Sequence, residues 1–416
     1  MSLAFKGHFV QNSCHPFYAG FRKIARFHRY IGTCFLENLN SNDYRDVRCN
    51  RRSFYLIYLI SLWSFILGIA VGAYVATIEP RRRMKDTDRL NTTIYILFLT
   101  SVNVEAVINN FLMFVKAPKF VELLHLCAKI EMNIGTPPYV QHDTISFTWK
   151  IMAFQAVLSC CNFVLNIISD FGTALVLSAE GQVSVDVMVI GILYSILGVV
   201  YVSSLCLVTR LWMTYFSKAF TLYLSCIYRN LDQCLRSRST PESRKVSLVD
   251  HTRVQLTLLK NCADLASSLL GPSLLYAYAY SVALLCAAAY YTIIPELSNK
   301  IRLFFLCFGV LHWISILLPT VSAHRIKGAV IELRSIVQGV SMADFSDDLL
   351  AQLRMMLNSI RHDDLKFTGC GFFVVDLSTF ADIMGAVITY TVVLVQTNDS
   401  YLKGSLEHCL ENSTII

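Results

Sequence analysis

Long apolar stretches recur along this chain and are separated by polar, charged segments. A helix needs roughly 20 apolar residues to cross the hydrocarbon core of a bilayer, and a lone strand would leave its backbone groups unpaired there. The stretches that meet this length are Phe54–Ile78, Leu90–Val115, Ile151–Ser169, Val187–Thr209, Leu269–Ile294, Leu303–Ala323 and Leu377–Val395. The pattern therefore predicts an all-α integral membrane protein with seven transmembrane helices.

Helical spacing of apolar residues continues beyond the spans. It runs through residues 211–227 after the fourth span and through residues 248–265 before the fifth, so both helices are expected to project from the membrane. Between them, the polar stretch Arg236–Ser247 predicts a mobile loop. Asp344–Arg361 predicts a separate amphipathic helix, too polar to span the membrane, with either its first residue or Ser346 as the cap.

Charge sets the expected orientation. The chain is 55% hydrophobic and only 16% charged, against about 25% charged in a soluble domain. Segments 1–53, 116–150, 210–268 and 324–376 hold 28 Lys and Arg against 17 Asp and Glu, and the alternate segments hold 8 against 10. Because Lys and Arg mark the cytoplasmic side, the N-terminus is expected inside and the C-terminus outside. The possible glycosylation sites Asn91, Asn398 and Asn412 all fall on the predicted outer side.

Gln396 is the leading candidate for function, because it places an amide at the outer end of an otherwise apolar last span. Copies of this amide around a shared axis could coordinate partly hydrated cations, although a polar residue at a helix end is the ordinary alternative. Val393 and Thr397 share its helical face and are candidates for a gate. The predicted pore positions are therefore Val393, Gln396 and Thr397.

Weaker candidates lie in other spans. Glu105 is an acid inside the second span, where such a residue either binds a ligand or ion or forms a buried structural pair. Asn110, Tyr290, Tyr291 and Trp313 are candidates for a ligand pocket, with helix packing as the structural alternative for each.

Enzymatic chemistry has no sequence support. There is no G-x-S-x-G, H-E-x-x-H or Walker motif and no Cys/His zinc spacing, so neither a catalytic site, a cofactor nor a metal is expected. The net charge of +7 reflects mostly the cytoplasmic segments and does not imply a nucleic-acid partner.

The C-terminal stretch 365–396, LKFTGCGFFVVDLSTFADIMGAVITYTVVLVQ, resembles the final segment of insect gustatory receptors, and related odorant receptors have a matching element. The resemblance is carried by Phe367-Thr368, Gly371-Phe372-Phe373, Asp376-Leu377, Gly385-Ala386, Thr389-Tyr390 and Gln396. It implies a nonselective cation channel of four identical or related subunits, gated by a small-molecule tastant, in the plasma membrane of sensory neurons. The family commonly has Phe after this Gln, whereas this chain has Thr397.

The resemblance also implies a division of the chain. Residues 1–53 would be a cytoplasmic N-terminal segment, 54–343 the first six spans with the ligand pocket, 344–376 a cytoplasmic anchor helix and its connection, 377–397 the pore helix and 398–416 a short outer tail. Thr391, where sugar-type members often have an acid, favours a bitter-compound receptor over a sugar receptor.

Two other classes compete with the channel. A G-protein-coupled receptor also has seven spans but would need the opposite orientation, and it normally has Asn-Pro-x-x-Tyr in the seventh span, which here contains no proline. A transporter or membrane enzyme would need paired acids, broken helices or metal ligands in the spans, and only Glu105 and Asp382 are available.

Overall fold

A computed structural model describes residues 15–49, 55–58, 60–64, 67–68, 86–135, 137–179, 200–237, 239–293, 299–339, 345–359 and 365–413. The helices in chain order are α1 Pro16–Tyr30, α2 Asp86–Val115, α3 Ala117–Ile134, α4 Pro138–Ala179, α5 Val200–Arg236, α6 Glu242–Ile293, α7 Asn299–Gly339, α8 Asp347–Ser359 and α9 Leu377–Ser413. Strands β1 Leu36–Glu37 and β2 Arg48–Cys49 pair antiparallel after α1, with a 3-10 turn between them at Tyr44–Asp46.

Several helices are suited to a bilayer. Among the described residues, four helical stretches are long and apolar enough to cross a membrane: Tyr139–Leu165, Glu242–Ile293, Arg302–Gly339 and Leu377–Thr397. They coincide with the predicted third, fifth, sixth and seventh spans. The second predicted span lies within α2, and much of the first and fourth lies outside the described residues. The count of seven therefore stays a prediction.

The extension of helices beyond the predicted spans is confirmed, because α5 continues to Arg236 and α6 begins at Glu242. α6 has 52 residues, which at 1.5 Å per residue is about 78 Å, more than twice the thickness of a hydrocarbon core. The mobile loop predicted at Arg236–Ser247 is wrong in extent, because α6 begins at Glu242. Pro241 precedes the helix and its carbonyl accepts from Arg244 N at 3.0 Å, while Lys245 is buried and donates to the carbonyl of Leu235 at 3.3 Å.

The N-terminal segment is built into the core. α1 packs against α4, and its aromatic side chains surround Trp212 on α5. The ring centroid of Phe21 lies 4.8 Å from that of Trp212, and Phe120 on α3 lies 5.5 Å away. Spacing of Phe17, Phe21 and Ile24 at i, i+4 and i+7 puts them on one buried face.

A buried carboxylate joins α1 to α3 and α5. Glu131 on α3 is 3% exposed, and its Oε1 accepts from the backbone N–H of Phe17 at 2.8 Å and from the hydroxyl of Tyr223 at 3.0 Å. The N–H groups of a first helical turn lack intrahelical partners, so this side chain caps α1 from a neighbouring helix. Burial raises the pKa of Tyr223 well above its usual value, so the hydroxyl stays a donor.

α8 is the predicted amphipathic helix. Leu349, Leu353 and Met356 are fully buried, and the helix packs on α6 and α7. Its cap is Ser346, whose Oγ accepts from Leu349 N at 3.4 Å. The other proposed cap, Asp344, lies outside the described residues.

Candidate functional site

A tight hairpin precedes α9 and contains the residues of the C-terminal motif. Thr368 and Val374 form an antiparallel bridge. Gly371 has φ +82°, a left-handed conformation that glycine adopts without strain. A Cβ on Gly369 would lie 2.5 Å from the ring of Phe373, so this position also requires glycine. The geometry of the hairpin therefore explains why glycine stands at positions 369 and 371.

The hairpin is docked by aromatic residues. Phe367 is 1% exposed and stacks on Phe220 of α5, with centroids 6.0 Å apart and an interplanar angle of 2°. Phe373 lies 5.3 Å from the ring of Tyr278 on α6. Phe372, by contrast, is 80% exposed. The hairpin thus fixes the start of α9 against α5 and α6 while one aromatic ring points away from the chain.

Asp376 caps α9. Its Oδ1 accepts from the backbone N–H of Thr379 at 3.0 Å, and the hydroxyl of Thr379 donates to the carbonyl of Val374 at 2.5 Å. A carboxylate at a helix N-terminus also complements the helix dipole. The motif acid is therefore a positioning residue for the last helix.

α9 has two different faces. Ile383, Val387 and Thr391 are 8%, 6% and 7% exposed and lie one turn apart along the side that contacts α6 and α7. Gln396 follows Val387 by nine residues, and at about 100° per residue this places it on the opposite side of the helix. Its side chain is exposed.

The exposed face is mixed in polarity. Asp382, Gly385, Thr389 and Val392 are exposed and lie within about 40° of Gln396 around the helix axis. The hydroxyl of Thr389 donates to the carbonyl of Gly385 at 2.9 Å, which satisfies it within the helix.

The remaining C-terminal candidates are also exposed. Val393 and Tyr390 are 50% and 58% exposed. Thr397 is exposed and its hydroxyl donates to the carbonyl of Val393 at 2.8 Å. The three predicted pore residues, Val393, Gln396 and Thr397, therefore all have exposed side chains on α9.

Tyr290 and Tyr291 pack beside this part of α9. They are 1% and 4% exposed, and Tyr291 stacks on Phe305 of α7 with centroids 4.4 Å apart. Leu394 and Val395 pack against the same aromatic cluster. The two tyrosines thus connect the ends of α6 and α7 to the residues that immediately precede Gln396.

Trp313 contacts the other end of the last span. Its ring lies 5.7 Å from that of Phe380 in an edge-to-face arrangement. α7 therefore contacts α9 through aromatic rings at both ends of that span.

Glu105 is part of a buried ion pair. Its Oε1 accepts from Arg210 Nη2 at 2.9 Å, and the two side chains are 1% and 3% exposed. Arg210 Nη1 also donates to Ser315 Oγ at 2.7 Å, so the pair joins α2, α5 and α7. His312, also on α7, extends these polar contacts to α6, because its Nε2 lies 2.8 Å from Ser281 Oγ. The sequence left two alternatives for Glu105, a contact to a ligand or ion and a buried structural pair. The contacts observed here are those of a buried structural pair.

Asn110 joins the second span to the N-terminal region. It is 8% exposed, and its amide lies between the carbonyl of Gly32, at 3.1 Å, and the indole nitrogen of Trp63. Of the five weaker candidates, only Tyr290 and Tyr291 share a cluster, and the contacts described here do not gather the five in one cavity. In the part of the chain that the structure describes, no three His, Cys, Asp or Glu side chains converge as a metal site would require.

All three sequons lie on helical backbone. Asn91 falls within α2, and Asn398 and Asn412 fall within α9, which continues to Ser413. The segment predicted as a short outer tail, 398–416, is thus helical as far as Ser413, and its outer location stays a prediction. Acceptor asparagines are typical of surface loops, so glycosylation stays a prediction here.

A sequence profile described as "7tm Chemosensory receptor" matches residues 21–400. The chain belongs to this family. The resemblance to insect gustatory and odorant receptors is thereby confirmed, and a receptor of this family is favoured over a G-protein-coupled receptor or an enzyme. No curated protein matched the chain in sequence.

Solved chemosensory receptors share the fold. The insect olfactory receptor OR5 from Machilis hrabei superposes with a TM-score of 0.68 at 14% identity, covering 91% of this chain and 99% of that receptor. The same receptor in complex with eugenol superposes with a TM-score of 0.65 at 14% identity, with the same coverage. This receptor chain therefore has the insect olfactory receptor fold.

Sequence reasoning missed the partner of Glu105. Arg210 comes directly after the predicted fourth span and is 105 residues away in sequence, so no local pattern connects the two. The only available signal was electrostatic: an acid inside an apolar span requires a cation on a neighbouring helix.

Proposed function

We propose that this chemosensory receptor is a subunit of a tastant-gated, nonselective cation channel, with α9 lining a pore shared between subunits. In this arrangement seven spans cross the plasma membrane of a sensory neuron, with the N-terminus inside and the C-terminus outside. The channel contains four copies, or this chain together with related receptors.

The two faces of α9 carry the proposal. A lipid-facing helix would place Asp382, Thr389 and Gln396 in hydrocarbon, where polar and charged groups are costly. A pore-lining helix instead places them in water or against other subunits, and it leaves Ile383 and Val387 packed inside the subunit. The mixed exposed face therefore supports a pore better than a lipid boundary.

Roles along this face follow from chemistry. The amide of Gln396 is suited to coordinating partly hydrated cations, since it offers a dipole without a net charge. Val393 forms an apolar ring that closes the pore by dewetting, and Thr397, without the bulk of phenylalanine, contributes less to closure.

The ligand is a small organic molecule, for which the complex of the similar OR5 with eugenol offers a precedent. It binds inside each subunit, among the outer halves of the spans. The cluster of Tyr290, Tyr291 and Phe305 passes movement of α6 and α7 to Leu394 and Val395. Bitter plant compounds are the proposed ligand class, with Thr391 in place of the acid common in sugar-type members.

Whole-cell recording tests the channel. Cells that express the chain are perfused with plant alkaloids, glycosides and sugars while G-protein signalling is blocked. We expect a fast current that survives the block and reverses near zero. A response abolished by the block would overturn the proposal.

Gln396→Ala tests the pore assignment. We expect altered cation permeability ratios and single-channel conductance at unchanged surface expression. Gln338→Ala is the matched control, because Gln338 is an exposed glutamine at the end of α7. Permeability unchanged from the parent in Gln396→Ala would remove this residue from the pore.

A further inference from the structure

A proline inside α6 frees one backbone carbonyl of that helix. Pro272 has no N–H, so the carbonyl of Ser268, four residues earlier, lacks its usual helical donor. Lys116, the cap of α3, replaces this donor: its Nζ donates to the carbonyl of Ser268 and lies 3.4 Å from the carbonyl oxygen of Leu269. Long helices bend preferentially at proline. The contact from Lys116 thus secures α6 at the point where the helix bends most easily.

The hairpin that precedes α9 touches α6 backbone to backbone beside this proline. A Cβ on Gly271 would lie 3.1 Å from the backbone N of Cys370 and 3.2 Å from the carbonyl oxygen of Thr368. Both distances are tighter than ordinary van der Waals contact, so a side chain at position 271 would push the hairpin away from the helix. Glycine therefore permits the observed approach of the two backbones.

Contacts between the hairpin and α6 lie on both sides of the proline. Before it, Ser267 Oγ donates to the carbonyl of Lys366 at 3.2 Å. After it, the ring of Tyr278 lies 5.3 Å from that of Phe373. At about 100° per residue, Ser267, Gly271 and Tyr278 lie within about 40° of one another around the helix axis. A bend of α6 at the proline must therefore displace the hairpin or break one of these contacts.

The hairpin is bonded internally and leads directly into α9. The N–H of Gly369 donates to the carbonyl of Phe373 at 3.0 Å, and the N–H of Val375 donates to that of Phe367 at 2.9 Å. Asp376 follows and caps the last helix. A displacement of the hairpin is thus passed to the first turn of α9.

An open groove beside the tight contact leaves room for this movement. Its volume is about 480 Å³, and its lining includes Ser268 and Pro272 of α6 together with Thr368 and Cys370 of the hairpin. Because the backbone contact at Gly271 is close and the neighbouring space is open, the hairpin has room to tilt about Gly271.

We propose that α6 bends at Gly271 and Pro272 and that the hairpin carries this bend to the first turn of α9. The inference rests on the proposed role of α9 as the pore helix. Lys116, Gly271 and Pro272 are then positioning residues for the pore, and Lys116 restrains the bend because it binds the carbonyl that the proline frees. Ligand-driven movement of α6 reaches the start of α9 by this route, whereas the tyrosine cluster acts near Gln396.

The test measures amide hydrogen exchange by mass spectrometry on the full chain, purified in detergent without ligand. Segments 266–278 and 366–380 are followed. Pro272→Ala supplies the missing N–H and should suppress bending, so exchange should slow by about threefold or more in both segments. Pro241→Ala is the matched control. This exposed proline precedes the first turn of α6, so its replacement should leave both segments as in the parent.

A double-mutant cycle tests the restraint by Lys116. Lys116→Met should accelerate exchange in both segments of the parent. In the Pro272→Ala background it should have little effect, because the new N–H already satisfies the carbonyl of Ser268. Lys119→Met is the control, since Lys119 donates to the side chain of Ser268, at 3.4 Å, and not to its backbone. A local structural role for Lys116 would instead give equal effects in the two backgrounds.

Three results would overturn the proposal. They are unchanged exchange in Pro272→Ala, slower exchange confined to segment 266–278, and an effect of Lys116→Met that is equal in both backgrounds. Because exchange is measured without ligand or current, failure of this coupling is distinct from failure of the channel proposal, which whole-cell recording tests separately.

Discussion

Around Trp212, side chains from α1, α3 and α5 bury one another almost completely, whereas α9 has a helical face that its own chain leaves exposed. The first region includes Phe21, Phe216 and Trp212, each no more than 2% exposed. On α9, Val393 and Tyr390 are at least half exposed. Substitutions in the first region should therefore impair folding, and substitutions in the second should change function with little effect on folding.

The largest effect is expected where a buried charge loses its partner. Glu105→Ala leaves Arg210 buried and unpaired, which costs about 3–5 kcal/mol. We expect a lower thermal midpoint in detergent and reduced surface expression. Glu105→Leu combined with Arg210→Met removes both charges and should restore much of the loss. A double variant as unstable as Glu105→Ala would contradict this explanation.

A pH effect of similar size is expected at His28. It is fully buried, and burial lowers its pKa from 6.5 to about 4, with a hydrogen bond to Gln155 at 3.1 Å opposing the shift. As the pH falls, His28 therefore binds a proton in the unfolded state before it does so in the folded state. Stability is complete above pH 6.5 and falls by roughly 1.4 kcal/mol per pH unit as pH drops towards 4.

The pH profile of the thermal midpoint between pH 7.5 and 5 measures this loss. His28→Gln should flatten the profile, and His142→Gln, at an exposed histidine, should leave it as in the parent. A profile that His28→Gln leaves unchanged would assign the pH dependence to other groups.

A smaller loss is expected at Gly20 in α1. A Cβ there would lie 2.7 Å from both Thr148 Oγ1 and Tyr215 Oη, so Gly20→Ala should cost about 1–3 kcal/mol through overpacking. Gly328→Ala is the matched control in α7. It meets nothing within 4 Å and should stabilise slightly, because alanine favours a helix. Equal thermal midpoints for the two variants would show that α1 is not tightly packed.

The smallest effect on stability is expected on the exposed face of α9. Val393→Ala should change the free energy of unfolding by less than about 0.5 kcal/mol. It should nevertheless increase the current without ligand, because it removes the apolar ring of the proposed gate. Val310→Ala, at an equally exposed valine on α7, should change neither quantity. A large loss of stability in Val393→Ala would remove the contrast between the two regions.

Local sequence patterns were sufficient to predict these helices and to propose which residues of α9 form the pore face. Apolar periodicity predicted α8 and the extensions of α5 and α6, and helical spacing put Val393, Gln396 and Thr397 on a common face. These features depend on residues a few positions apart, which a sequence displays directly.

Contacts between distant residues were not predictable in this way. The pairing of Glu105 with Arg210 and the capping of α1 by Glu131 both join different helices. The burial of α1 had a signal in Phe17 and Phe21, but the basic residues around them resemble those of a solvated segment. The bond from Lys116 to the carbonyl of Ser268 likewise joins residues 152 positions apart, which only the fold brings together.

The most direct test of the central claim is cross-linking between subunits. Gln396→Cys and Val387→Cys are expressed separately, oxidised in intact membranes and compared with the parent chain on a non-reducing gel. If the exposed face of α9 surrounds a shared axis, Gln396→Cys should form covalent dimers well above the parent background, and the buried Val387→Cys should not. Dimers from Val387→Cys together with none from Gln396→Cys would contradict the account.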